Sequence, residues 1–262
     1  MNNHEIDYKI IGEEMQCVSI ELDPNETVIS ESGSLMMMED GIKMETVFGD
    51  GSSRGQSILD KVFSAGKRIL TGESLFMTSY TNIGSLKKQL HFAAPYPGKI
   101  IPIDLSLHNG KMICQKDSFL CAAKGVAIGI EFQKKLGAGF FGGEGFIMQK
   151  LEGDGMCFIH SGGAIIERQL QYGEKLRIDT GCIVAFESTV DYDIEFVGGI
   201  RNTIFGGEGL FFATLTGSGK IWVQSLPFSR LASRILAGAV GRRKEEGSVL
   251  GGLGNLLDGD GR

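Results

Sequence analysis

The sequence predicts an all-β protein in which three tandem strand-rich repeats close into a pseudo-threefold barrel or prism, with a short inserted helix and a C-terminal helix. Three observations carry that prediction. A Gly-Glu element recurs at a constant offset along the chain. Glycine supplies 39 of 262 residues while hydrophobic residues still reach 42%, the mixture produced by many tight turns between short apolar strands. In Val190-Asp191-Tyr192-Asp193-Ile194-Glu195-Phe196 apolar and acidic residues alternate, which gives a strand one buried face and one wet face.

The repeat is read by laying the chain on itself. Phe140-Phe141-Gly142-Gly143-Glu144-Gly145-Phe146 returns as Ile204-Phe205-Gly206-Gly207-Glu208-Gly209-Leu210, 64 residues later. The same offset carries Ile130-Glu131-Phe132 onto Ile194-Glu195-Phe196, and Leu151, Gly153 and Gly155 onto Leu215, Gly217 and Gly219. A more diverged copy contains Thr71-Gly72-Glu73-Ser74, and in all three copies the glutamate, Glu73, Glu144 or Glu208, stands 11 residues before a glycine. The copies span about 8–97, 98–161 and 162–226, so that 1–226 forms a single β domain. The first copy has 15 extra residues between Glu45 and Glu73. Within them Ile58, Leu59, Val62 and Phe63 have the spacing of a short amphipathic helix.

Turns punctuate each copy. Asn109-Gly110, between Ile101–Leu107 and Met112–Cys114, signals a hairpin because both residues tolerate positive φ. Tyr172-Gly173 and Asp23-Pro24-Asn25 hold the equivalent places. Three units that cannot each bury a core alone are expected to close around a common centre, which removes free sheet edges. The run Met36-Met37-Met38 is expected to pack into the strand core, with an adaptable apolar contact surface as the alternative. Over 227–244, Leu231, Ile235, Leu236 and Val240 recur at helical spacing beside Arg230, Arg234, Arg242 and Arg243. A helix docked on the β body is expected there, with peripheral membrane association as the alternative. Residues 245–262 read as a flexible Gly-rich tail.

A formal charge of -6 and a pI near 5.3 disfavour nucleic acid, which needs clustered Lys and Arg to displace counterions. The N-terminus lacks a basic region followed by an apolar core, and no apolar run reaches bilayer-spanning length. A cytoplasmic location is therefore expected. Cys17, Cys114, Cys121, Cys157 and Cys182 form no C-x-x-C pair and lie mostly in apolar runs, so buried free thiols are expected.

Three Gly-Glu-bearing β repeats, a helical insertion in the first, and a Gly/Leu tail after an Arg-bearing helix together resemble the bacterial uncharacterised proteins related to altered inheritance of mitochondria protein 24. The resemblance covers residues 8 to about 240. It implies a β architecture similar to that of the tryptophan RNA-binding attenuator protein, with assembly into homo-oligomers and with no established catalytic residues or cofactor. A mitochondrial inner-membrane organising role is implied for the eukaryotic relatives alone, because this chain has no Arg/Ser-rich presequence.

Catalytic chemistry is thinly supplied. The Gly-rich runs lack the Lys-Ser/Thr of a phosphate loop and place a carboxylate at their centre, which repels an anion. His4, His91, His108 and His160 never fall at the spacing that puts two imidazoles on one strand or helix face. His160, ahead of Ser161-Gly162-Gly163, is expected to be a surface or hydrogen-bonded structural residue. Glu73, Glu144 and Glu208 are the candidate structural or partner site, with Gly143 and Gly207 letting the backbone close around the carboxylates so that they accept hydrogen bonds from exposed N–H groups. A metal site is the alternative for this trio. The reading that follows is a non-catalytic binding or assembly scaffold, without cofactor, whose protein partner is not named by the sequence and which forms homo-oligomers. Its rivals are an RNA-binding protein by fold analogy and a metal-dependent enzyme with a site built from distant residues.

Overall fold

The computed structural model describes residues 3–48, 76–134, 146–196 and 211–238. The expected inserted helix, the 245–262 tail and all five candidate site residues, Glu73, Glu144, Glu208, Gly143 and Gly207, lie outside the described residues.

The described chain is mostly β. After β1 (Asp7–Ile11) come β2 (Cys17–Leu22), β3 (Thr27–Glu31), β4 (Leu35–Met38), β5 (Ile42–Phe48), β6 (Phe76–Asn82) and β7 (Lys88–Ala93). The next stretch holds β8 (Gly98–Asp104), β9 (Lys111–Gln115), β10 (Phe119–Ala123), β11 (Ala127–Lys134), β12 (Phe146–Glu152) and β13 (Met156–Gly162). The last holds β14 (Ile165–Leu170), β15 (Lys175–Asp179), β16 (Ile183–Glu187), β17 (Asp191–Phe196), β18 (Phe211–Thr216) and β19 (Gly219–Gln224). Helix α1 follows at 228–238.

One pairing scheme recurs. In the first stretch β2 and β4 flank β7, while β5 and β3 flank β6. In the second, β8 and β10 flank β13, and β11 and β9 flank β12. In the third, β14 and β16 flank β19, and β17 and β15 flank β18. Even the irregularities match, with register shifts between Leu35 and Met37, Phe119 and Cys121, and Ile183 and Ala185. Two seams join neighbouring stretches: β3 pairs with β10, and β9 with β16.

These seams create two six-stranded sheets, β5-β6-β3-β10-β13-β8 and β11-β12-β9-β16-β19-β14. The remaining strands form a four-stranded sheet, β1-β2-β7-β4, and a three-stranded sheet, β15-β18-β17. None of the sheets closes into a barrel, contrary to the expectation from sequence. The physical reason is local: β4 and β15, which the scheme would join as a third seam, are both left as sheet edges.

The turns also differ from expectation. Asn25, Asn109 and Gly173 do adopt positive φ, at 70°, 56° and 75°, but the strands on either side of each lie in different sheets. They are crossovers rather than hairpins. At the second, Asp104 caps a 3-10 turn over Leu105–His108 by accepting from the Ser106 N–H, and Asn109 closes it in the left-handed region. That extra turn carries the chain out of the sheet of β8 and into the sheet of β9.

Burial explains the composition. The central strands β10 and β16, Phe-Leu-Cys-Ala-Ala and Ile-Val-Ala-Phe-Glu, are covered on both faces and read as continuous apolar runs. In β17 the alternation holds, with Ile194 buried and Asp191, Asp193 and Glu195 exposed. Cys114, Cys121 and Cys157 are fully buried, whereas Cys17 and Cys182 are half-buried. Burial pushes all three core thiols well above the ordinary range.

Met36, Met37 and Met38 are 57%, 51% and 41% exposed, which corrects the core assignment. Their matching positions show why. Cys121 and Ala122 in β10, and Ala185 and Phe186 in β16, are at most 1% exposed because a neighbouring strand covers that edge. Among the described residues β4 has no such neighbour.

Candidate functional site

A cleft of about 660 Å³ lies at the ends of β3, β9 and β19, partly roofed by α1. The strands deliver its polar groups through their last residues, Glu31, Gln115 and Gln224. A strand end is a natural place for such groups, since the ladder stops there and side chains can turn toward a cavity. Phe119 at the start of β10, and Tyr96 in the loop before β8, supply apolar walls.

Helix α1 begins after Pro227, whose carbonyl accepts hydrogen bonds from the N–H groups of Arg230 and Leu231. Phe228, Ala232 and Leu236 recur every four residues and therefore share a face, which lines the cleft. The first turn is anchored twice. Arg230 Nη2 lies 3.3 Å from Asp179 Oδ2 at the end of β15, and the Phe228 ring sits 5.3 Å from that of Tyr96. Beyond this turn the docking expected from sequence fades, with Ile235 and Leu236 63% and 64% exposed. No helix among the described residues is long and apolar enough to cross a membrane.

Hydrogen bonding differs sharply around the cleft. Gln224 is saturated: its Oε1 accepts from the Gly162 N–H at 2.7 Å and its Nε2 donates to the Gly181 carbonyl at 2.8 Å. Glu31 Oε1 accepts from Gln149 Nε2 at 3.2 Å. Gln115 is only 6% exposed. The pKa of the Tyr96 hydroxyl is pushed up to about 12, by burial first and by the charge of Asp117 second.

Behind Tyr96 lies His160, 64 residues before Gln224 and at the matching place in β13. It is fully buried, neither ring nitrogen makes a hydrogen bond of ordinary geometry among the described residues, and its ring meets Tyr96 edge-on at 4.4 Å. Burial lowers its pKa to about 4, opposed by the smaller effect of the Tyr96 backbone. The surface position expected for it is thus corrected, and its nearest polar neighbour is the Tyr96 backbone. Among the described residues no three His, Cys, Asp or Glu converge as a metal site.

The cleft went unread in the sequence because Glu31, Gln115, Asp117 and Tyr96 share no motif. The available signal was the 64-residue offset, which places Gln115 on Asp179 and His160 on Gln224.

With this fold and geometry in view, the sequence profile described as mitochondrial biogenesis AIM24 matches residues 8–226. The chain belongs to the AIM24 family. It is 30% identical over 221 residues to an uncharacterised protein of Streptococcus pyogenes serotype M6, covering 83% of this chain and 84% of that one. It is also similar to the crystal structure of a Streptococcus pyogenes protein, with a TM-score of 0.69 and 24% identity over 89% of this chain and 99% of that one. The latter likeness extends to the fold. AIM24 membership agrees with the resemblance read from the Gly-Glu elements.

Proposed function

We propose that this chain is a non-catalytic assembly protein, a pseudo-threefold array of three β repeats that pairs with a second copy of itself through the edges of β4 and β15. The observation that carries the reading is the recurrence of one pairing scheme with two of its three seams made inside the chain. In the made seams Cys121 faces Ser30 and Ala122 faces Ile29, while Ala185 faces Cys114 and Phe186 faces Ile113. The same register in the third seam would set Met37 against Ile178 and Met38 against Arg177. Each chain therefore carries both halves of a complementary edge pair.

Two copies related by a twofold axis would pair β4 of each chain with β15 of the other, giving a closed dimer. The unpaired N–H and C=O groups of β4 and β15, a liability in a monomer, would find partners. The exposed Met36–Met38 surface would be covered, and flexible methionines adapt well to such contacts.

Light scattering of the full chain tests this. A dimer at micromolar concentration is expected, and Met37→Lys should yield a monomer whose melting temperature stays within a few degrees of the parent. A wild-type monomer, or a dimer indifferent to Met37→Lys, would overturn the reading.

A further inference from the structure

We propose that Met36, Met37 and Met38 form a modification site, at which peroxide oxidises the thioethers of a separated chain to sulfoxides and so keeps two copies from pairing along β4. The proposal rests on the self-association reading above and names how that contact is regulated.

Accessibility singles out these sulfurs. Cys114, Cys121 and Cys157 are fully buried, and Met77, Met112 and Met148 are at most 1% exposed. Met36, Met37 and Met38 stand open in consecutive positions of one edge strand. Successive strand side chains alternate between faces, so thioethers line both faces of the edge that a second copy would cover. A thioether has no proton to lose, and access governs its reaction with peroxide.

Placement gives the modification its consequence. The counterparts in the two made seams, Cys121 and Ala122 in one and Ala185 and Phe186 in the other, are enclosed because those seams are made. In the third seam Met37 would face the side chain of Ile178, which is 8% exposed and has no hydrogen bond to offer. A sulfoxide oxygen enclosed there without a donor weakens pairing roughly tenfold or more. In the paired state β15 of the second copy shields the same sulfurs, so oxidation selects the dissociated chain and then holds it apart.

The step balances without help from the protein. A lone pair of the methionine Sδ attacks one peroxide oxygen, the S–O bond forms as the O–O bond breaks, and the departing hydroxide takes the remaining proton to leave as water. Sulfur loses two electrons and peroxide gains them. The reverse step consumes two thiols, which join as a disulfide while the oxygen leaves as water, with one reductase serving each sulfoxide epimer.

Hydrogen peroxide treatment of the full chain, followed by light scattering and peptide mass spectrometry, tests this. Oxidation at Met36, Met37 and Met38 is expected to outpace that at Met77, Met112 and Met148, and to slow as protein concentration rises through the dissociation range of the dimer. Oxidation at Met15 and Met44, 70% and 54% exposed and away from the β4 edge, should keep one rate. The oxidised chain should be a monomer with the circular dichroism of the parent, and the two epimer-specific sulfoxide reductases with dithiothreitol should restore the dimer. The triple variant Met36→Leu/Met37→Leu/Met38→Leu should stay a dimer under the same treatment. A monomer before any peroxide is added overturns the self-association reading and this proposal together. A dimer that persists with the three sites oxidised, a triple variant that peroxide dissociates as readily as the parent, or an oxidation rate at the three sites indifferent to concentration overturns this proposal alone.

Discussion

His160 and Gln224 occupy matching places on β13 and β19, and their chemistry diverges there. The amide of Gln224 bridges two backbone groups, while the imidazole of His160 is enclosed without a hydrogen bond of ordinary geometry among the described residues. An imidazole with a folded pKa of about 4, against 6.5 for the unconstrained group, stays neutral when folded and takes up a proton on unfolding anywhere between those values. Stability therefore rises with pH through that window and is lost as pH falls from 6.5 toward 4. At about 1.4 kcal/mol per pKa unit, the loss is on the order of 3 kcal/mol. Urea denaturation at pH 7 and near pH 4 should show this difference for the parent, and His160→Gln should remove most of it. A second residue-scale expectation concerns close approach. A Cβ on Gly98 would lie 1.8 Å from the Ser161 carbonyl oxygen, and one on Gly162 would lie 2.0 Å from that of Leu226, so no side chain fits without moving backbone. Gly33, at φ +90° with nothing within 4 Å, lacks that obstacle. Gly98→Ala should thus cost about 3 kcal/mol or more from overpacking, against about 1–2 kcal/mol of left-handed strain for Gly33→Ala, as measured by chemical denaturation.

Among the elements, α1 depends on few contacts. Asp179 holds the helix through Arg230 and also caps the 3-10 turn after β15, its Oδ1 accepting from the Gly181 N–H at 2.9 Å. The ion pair is more than a third exposed on both sides and contributes little by itself; the cap contributes about 1 kcal/mol. Asp179→Ala should accordingly raise hydrogen-exchange rates over 228–238 while leaving the β13 and β19 amides protected. Arg230→Ala should raise the α1 rates with a smaller effect on stability. The strands themselves were legible: alternation announced β17, continuous apolar runs announced β10 and β16, and the helical stripe after Leu226 announced α1. Which strands pair was not, because a positive-φ turn such as Asn109-Gly110 suits both a hairpin and a crossover, and only long-range packing chooses. The exposure of Met36–Met38 was hidden for a related reason. A strand sequence does not reveal that its neighbour is missing. The cleft was hidden because its residues come from β3, β9, β10, β19 and α1, which meet only in the folded chain.

At the scale of the whole molecule, β3·β10 and β9·β16 make each stretch of six strands dependent on the next. The middle stretch contributes to both six-stranded sheets, and core residues such as Ile29, Met77, Cys114, Phe119, Val184 and Trp222 form one cluster drawn from all three stretches. A fragment spanning 98–162 would expose both seams and should show no cooperative melting transition by circular dichroism. The intact chain should unfold in a single transition. Its refolding should be slow for its size, since nearly every pairing between stretches is distant in sequence.

The enclosed cysteines give the molecule an internal clock. A thiol whose pKa is raised by burial supplies almost no thiolate, the species that reacts with alkylating agents, so Cys114, Cys121 and Cys157 can be modified only in molecules that have opened. Half-buried Cys17 and Cys182 should be alkylated first in iodoacetamide pulses followed by mass spectrometry. The three core sites should then appear together, at a common rate that reports how often the whole β body comes apart.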